Sequence, residues 1–199
     1  MAAPRRPRAA TEEKKQRLLD ATEEIMLEDG YAAVSSRRVA AAVGINAPLL
    51  HYYFPTIDDL FVAVLLRRSG RIVERMAEAL ASDEPLRAWW ELASDPRGTA
   101  LMVEMLAAAN HRPVLKAEVG EIARDVRAMQ VERLESLLAE YGVDRDEFPP
   151  VLVAATVQGL AFSAVQDLAA GYDTNPEDAI KAMVRFIDRL EAKRAAARR

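Results

Sequence analysis

Helical spacing runs through almost the whole chain, and no stretch alternates apolar and polar residues as a half-buried strand requires. Alanine, the best helix former, occurs 37 times in 199 residues, while aromatic and β-branched runs are scarce. The expected fold class is therefore all-α, and a 51% apolar composition is enough to fill a core. The complete lack of cysteine excludes disulfides, thiolate metal sites and thiol nucleophiles. With His51 and His111 as the only histidines, a histidine-rich metal site is not expected either. A chain without cysteine is indifferent to redox poise, so a reducing cytoplasm is permitted.

Prolines and glycines fall where helices should start and stop. Thr11, followed by Glu12 and Glu13, predicts an N-cap with acids in the first turn, and the helix ends at Gly30. Ser35 or Ser36 caps a short second helix closed by Gly44, and Asn46 caps a third with Pro48 in its first turn. A fourth helix begins near Ile57 or Asp58. Pro85, Pro96 and Pro113 open three more, the last and longest ending at Gly142. The final helix is expected to start at Asn175, Pro176, Glu177 and Asp178. About nine helices result.

The N-terminus carries Arg5, Arg6 and Arg8 with Pro4 and Pro7, and reads as a disordered basic arm over 1–10. No apolar stretch of a signal peptide follows, so export is not expected. Nineteen residues, Phe148 to Gln166, carry no charge, close to the length of a membrane span. They hold Thr156, Gln158, Gly159, Ser163 and Gln166 and are flanked by acids, which favours a buried helix of a soluble protein.

The informative stretch is Ser35 to Phe54, SSRRVAAAVGINAPLLHYYF. A short helix, a turn on Gly44 and Ile45, and a second short helix capped by Asn46 form a helix-turn-helix pattern. Ala40 is small where the two helices must cross, and Val39, Val43, Ile45 and Leu50 can form the joint. The second helix then exposes some combination of Ala47, Pro48, Leu49, His51, Tyr52 and Tyr53, with Tyr53 placed more naturally in the core.

Residues 11–70 as a whole resemble the N-terminal domain of the TetR family of bacterial transcriptional regulators. Gly30, Tyr31, Ser35, Val39, Ala40, Gly44, Ile45, Asn46, Leu50, Tyr53, Phe54, Asp59, Leu60 and Phe61 match its pattern, over about a third of the chain. Two positions depart from it: His51 stands where tyrosine is usual, and Ile57 where a phosphate-contacting lysine is usual.

The resemblance implies that Ser36, Asn46, Tyr52 and Tyr53 contact phosphate or sugar. It places Ala47, Pro48, Leu49 and His51 in the major groove, where His51 is expected to donate to a purine acceptor. Such a face is poor in bidentate readers, so Arg37 and operator shape are expected to carry much of the specificity.

The resemblance further implies four segments: the arm 1–10, a helix-turn-helix domain 11–56, a linking helix 57–75, and a helical ligand-binding and dimerisation domain 76–196. Candidate ligand contacts are Trp89, Met102, Met105, Met129 and Phe162, with Asn110, Gln158 or Gln166 offering polar groups. Ala155, Gly159 and Ser163, four apart, put small side chains on one helix face, and with Met183 and Ile187 of the last helix they are the expected dimer interface.

The implied function is a cytoplasmic, homodimeric repressor of a pseudo-palindromic double-stranded DNA operator, released by a small apolar or amphipathic effector, with no cofactor. The alternative is a helical small-molecule-binding protein with weak or vestigial DNA binding. An enzyme is not expected: glycine-rich phosphate loops, metal clusters and a Ser/His/Asp arrangement are all missing from the sequence.

A net charge of −4 argues superficially against a nucleic-acid partner. Residues 1–75, however, hold 12 Lys/Arg against 10 Asp/Glu, giving +2, and residues 76–199 hold 15 against 21, giving −6. A surplus of +2 is modest, so DNA affinity is expected to rest on geometry and dimer spacing more than on bulk charge.

Overall fold

The computed structural model describes residues 6–171 and 176–197. The described residues form nine α-helices and no strand: α1 (Arg6–Asp29), α2 (Ser36–Ala42), α3 (Ala47–Tyr53), α4 (Ile57–Ala81), α5 (Pro85–Ala93), α6 (Pro96–Asn110), α7 (Pro113–Glu140), α8 (Pro150–Ala170) and α9 (Pro176–Ala197). A 3₁₀ turn, Tyr31–Ala33, joins α1 to α2. The end of α1 before Gly30, the Asn46 cap of α3 and the helix starts at Pro85, Pro96 and Pro113 fall where the sequence predicts them.

Helix α1 begins at Arg6 instead of at a Thr11 cap. Proline is tolerated in a first turn because its missing N–H has no partner there, and Ala9 and Ala10 extend the helix into Thr11. Arg6 and Arg8 are thus helical, whereas Pro4 and Arg5 lie outside the described residues. The expected cap Asn175 and the terminal Arg198 and Arg199 also lie outside them.

The chain divides into two compact units, one of residues up to Ser69 with Ala100–Gly120, the other of Gly70–Thr99 with residues from Glu121 on. The division departs from boundaries drawn at 56 and 75, because the end of α6 and the start of α7 pack with the N-terminal helices.

In the first unit, Leu18, Met26, Val39, Leu50, Leu60 and Phe61 are almost wholly buried, joined by Leu101, Met105 and Leu115 from α6 and α7. Arg67 of α4 fastens this core to α1. Its guanidinium donates to the Gln16 side chain at 3.1 Å and to Asp20 at 2.6 Å, and pairs with Glu23. Only 9% of the Arg67 side chain is exposed, so these bonds work in a drier setting than a surface ion pair.

Residues of α6 are tied to the same unit at two places. The Glu104 carboxylate accepts from the Tyr31 backbone N–H at 2.6 Å, beside Gly30, whose φ of +80° a side chain would strain. At the α6–α7 junction Arg112 pairs with Asp58 and lies 4.8 Å over the Phe61 ring, while His111 stacks on Tyr31.

The second unit centres on Trp89 and Trp90 of α5, Leu134, Leu137, Leu138 and Tyr141 of α7, Ala154, Val157 and Ala161 of α8, and Ile187 of α9. The inward face of α8 is mostly alanine, which lets the helix approach the large side chains of α5. Only that face is covered. Val151, Leu152 and Phe162 are 52%, 47% and 37% exposed, so the uncharged helix is one-sided and not the wholly buried element its composition suggests. Among the described residues no single helix is long and apolar enough to cross a membrane.

A buried carboxylate organises the end of this unit. Glu191 accepts from the Leu86 N–H at 2.8 Å, at the start of α5, and from the Tyr141 hydroxyl at 2.7 Å. Burial, reinforced by the neighbouring Glu191, pushes the Tyr141 hydroxyl well above its ordinary pKa, so the phenol stays a donor. Arg194, one turn further on, bonds Glu140 at 2.9 Å and the Asp83 carbonyl at 2.8 Å. Removing the carboxylate would strand at least two buried donors. Glu191→Ala is expected to cost about 3 kcal/mol and Tyr141→Phe, which deletes one donor, about 1 kcal/mol. Urea midpoints measure both; equal losses would refute the central role of Glu191.

Candidate nucleic-acid interface

The turn between α2 and α3 is built from local signals. Gly44 sits at φ +73°, donates to the Ala41 carbonyl at 3.1 Å, and is followed by Ile45, which donates to the Ala40 carbonyl at 2.9 Å. These two bonds are the Schellman closure of a helix, and they satisfy carbonyls that α2 would otherwise leave open. Arg17 of α1 donates to the Val43 carbonyl at 3.1 Å, fixing the same helix end from outside. Two residues beyond the glycine, the Asn46 side chain accepts from the Leu49 N–H at 3.0 Å and starts α3; Ser35 caps α2 in the same way at 3.3 Å.

Helix α3 turns Leu50 inward, with Phe54 following at its end, and leaves the opposite side open. Asn46, Pro48, His51 and Tyr52 are exposed, Tyr52 by 76%, while Ala47, Leu49 and Tyr53 are half-buried. Tyr53 packs edge-on against Tyr52 at 5.3 Å, so it supports the exposed ring. At the start of α2, Ser36 is half-buried and Arg37 exposed, whereas Arg38 is paired with Asp29. The structure thus brings all nine predicted interface residues onto α2, α3 and the Asn46 cap that starts α3, and it separates the two adjacent arginines by role.

Two details lay beyond the sequence reading. The His51 Nδ1 lies 3.0 Å from the Pro55 carbonyl. A carbonyl only accepts, so Nδ1 donates in this contact and Nε2 is the ring nitrogen left for an outside partner.

The second detail is a reciprocal cap at the start of α4. Thr56 donates to Asp59 at 2.8 Å through its N–H and its hydroxyl, and the Asp59 N–H donates back to the Thr56 hydroxyl at 3.1 Å. The Thr-x-x-Asp spacing is visible in the sequence and is the signal for this capping box. Where Ile57 replaces the usual lysine, the helix start is thus occupied by the chain's own carboxylates.

The other predicted site residues are more scattered. Met102 and Met105 belong to the first unit and Met105 is fully buried; Trp89 and Met129 lie in or against the core of the second, and Phe162 is exposed. Asn110 and Gln166 are exposed and Gln158 is half-buried. Ala155, Gly159 and Ser163 share the open face of α8, and Met183 is half-buried. Ile187, expected at the dimer face, is 4% exposed and packs inside its own unit; its neighbour Phe186, 52% exposed, takes the outward position. Successive helical residues are about 100° apart, so the apolar stripe alone did not decide which of the two faces out.

A helix-turn-helix carried on an all-helical chain is the class these features define. Residues 18–64 match the family model of bacterial regulatory proteins of the tetR family. The chain is 38% identical over 66 residues to the HTH-type transcriptional repressor KstR of Rhodococcus jostii, covering 33% of this chain and 31% of that protein. It is 30% identical over 73 residues to the HTH-type transcriptional activator FasR of Mycolicibacterium smegmatis, covering 37% and 33%. The match thus spans about a third of the length of these curated relatives. A TetR transcription regulator from Haloarcula marismortui superposes over 94% of this chain and 95% of its own, with a TM-score of 0.64 at 21% identity, which shows a shared fold. Residues 18–64 are thus similar to the helix-turn-helix domain of the tetR family, and the chain shares the fold of that solved structure. These relatives are named as transcriptional regulators.

The Gly44 turn has a direct test. A Cβ there would meet nothing within 4 Å, so Gly44→Ala isolates the backbone strain of φ +73°. A loss of about 1–2 kcal/mol in urea unfolding is expected, against none if the turn relaxes freely.

Proposed function

We propose that the chain is a ligand-responsive, DNA-binding transcriptional regulator. It acts in the cytoplasm as a homodimeric repressor of a pseudo-palindromic operator and is released by a small apolar or amphipathic effector. The observation that carries this reading is the orientation of α3: Leu50 is buried while Pro48, His51 and Tyr52 are exposed on a helix rigidly joined to α2. Asn46 and Ser36, at the helix starts, are placed to contact phosphates together with backbone N–H groups. Arg37, exposed beside an arginine already engaged by Asp29, is the available cation for base or phosphate contact.

Dimerisation follows from α8. Its open side presents Val151, Leu152, Ala155, Gly159 and Phe162, an apolar strip that costs free energy in water and is flat enough at Gly159 for a second helix to approach. Two copies joined there would carry two α3 helices, as a pseudo-palindrome requires. The repressor assignment draws on the KstR relative, and FasR, an activator, shows that the shared N-terminal segment serves either sign of regulation. The own-carboxylate cap of α4 favours the alternative, a small-molecule-binding protein with weak DNA affinity, in one respect only: it removes a phosphate contact.

Selection of bound genomic fragments by the purified protein, followed by gel shifts on the recovered sequence, tests the reading. Arg37→Ala is expected to weaken operator binding about 5- to 150-fold, corresponding to about 1–3 kcal/mol. Equal affinity for operator and scrambled DNA would support the alternative. Leu152→Asp, on the open face of α8, is expected to shift sedimentation from dimer to monomer at micromolar concentration; a wild-type monomer would refute the dimer.

A further inference from the structure

We infer that the second unit holds a site for the carboxylate group of an amphipathic molecule, built from Arg127 and Gln130 of α7 and Gln158 of α8. The inference rests on the reading of this unit as the effector domain and specifies the chemistry of what it takes.

Gln130 is 1% exposed, and neither atom of its amide has a hydrogen-bond partner. It stands in the apolar stripe of α7, one turn before the fully buried Leu134 and two before Leu137. A buried amide with four unmet hydrogen-bonding capacities is costly, and native interiors keep such groups where something else satisfies them.

One turn earlier on the same face, Arg127 donates one amino group to the Gln158 side-chain carbonyl at 2.9 Å. Its other amino group is buried and unpartnered, and no carboxylate among the described residues pairs with it. A guanidinium turned inward against a neutral amide, without a counter-charge, is the feature that most needs an incoming ligand. Trp89, in the same core as Leu134, adds a third buried donor without an acceptor.

Donors therefore outnumber acceptors, and the surplus includes one positive charge. That balance selects an anion with two acceptor oxygens over an alcohol or an amine. The planar fork of arginine matches a carboxylate in particular. Leu134 and Val157 of the core of the same unit, with Met129 packed against it, suit an apolar body attached to it.

The test uses the full-length protein and two carboxylates of different shape, dodecanoate and naphthalene-2-carboxylate, each beside its neutral counterpart, dodecan-1-ol and 2-naphthylmethanol. At least one acid is expected to bind by calorimetry ten-fold or more tightly than its alcohol. Gln130→Leu is expected to raise the melting temperature of the unliganded protein, since it removes the orphaned amide, while weakening that acid at least ten-fold. Arg127→Met is expected to abolish the preference for acid over alcohol. Acid and alcohol binding equally, neither acid binding, or a Gln130→Leu protein with unchanged acid affinity would overturn the site and leave Gln130 as a packing defect or a water-bridged group. Operator binding measured in the same samples separates the two levels. Acid binding that depends on Arg127 but leaves DNA affinity unchanged upholds the site and refutes the effector role, whereas intact DNA binding without acid binding refutes the site alone.

Discussion

Everything the first unit presents outward depends on how the chain turns between Ala42 and Ala47. Gly44 takes a backbone conformation closed to ordinary residues, Ile45 and Gly44 return their N–H groups to α2, and Asn46 launches α3. With that angle set, Leu50 can only point inward and His51 and Tyr52 only outward. The Arg67 cluster between α1 and α4 and the Arg17 bond to Val43 hold the frame against which the turn is measured. A short helix of seven residues has little stability of its own, so its orientation is a property of these clamps and not of α3 itself.

What could be read from the sequence divides along the range of the interactions. Caps, turns and apolar stripes are local, so the helix count, the Gly44 turn and the Asn46 cap were legible, as was the burial of Val39, Ala40 and Leu50. Arg67 reaches partners 44 to 51 positions away, and Glu191 a partner 105 away, and neither leaves a mark at any fixed spacing. The candidate interface was legible as a set of residues but not as chemistry. The Pro55 carbonyl decides which His51 nitrogen is left for an outside partner, and Asp29 decides which of two adjacent, exposed arginines is engaged in an ion pair. Ligand and dimer candidates were the least legible, because methionine and isoleucine in a stripe look alike whether they face a core, a cavity or a second chain.

Helix α8 illustrates a composition that periodicity could not resolve. Nineteen uncharged residues approach the length of a membrane span and read as a buried helix, whereas the helix they form is buried on one side only. Alanines meet the tryptophans and leucines of the interior on one side, while valine, leucine and phenylalanine face outward on the other. Small residues that permit close approach occur on both faces, and among the described residues only one of those faces is covered.

The attachment of α6 to the helix-turn-helix unit has a practical meaning for anyone rebuilding such a chain. Glu104 holds the Tyr31 N–H, His111 stacks on Tyr31, and Arg112 engages Asp58 and Phe61. The helix-turn-helix unit is therefore discontinuous in sequence. A chimera joined after residue 75, to graft the helix-turn-helix onto a foreign helical body, would leave behind the segment that closes its own core, exposing Phe61 and leaving Asp58 without its cation. A transplant that keeps its fold would carry residues 100–120 along with the first 69, so the same segment that seals the module also limits how freely its parts can be exchanged between relatives.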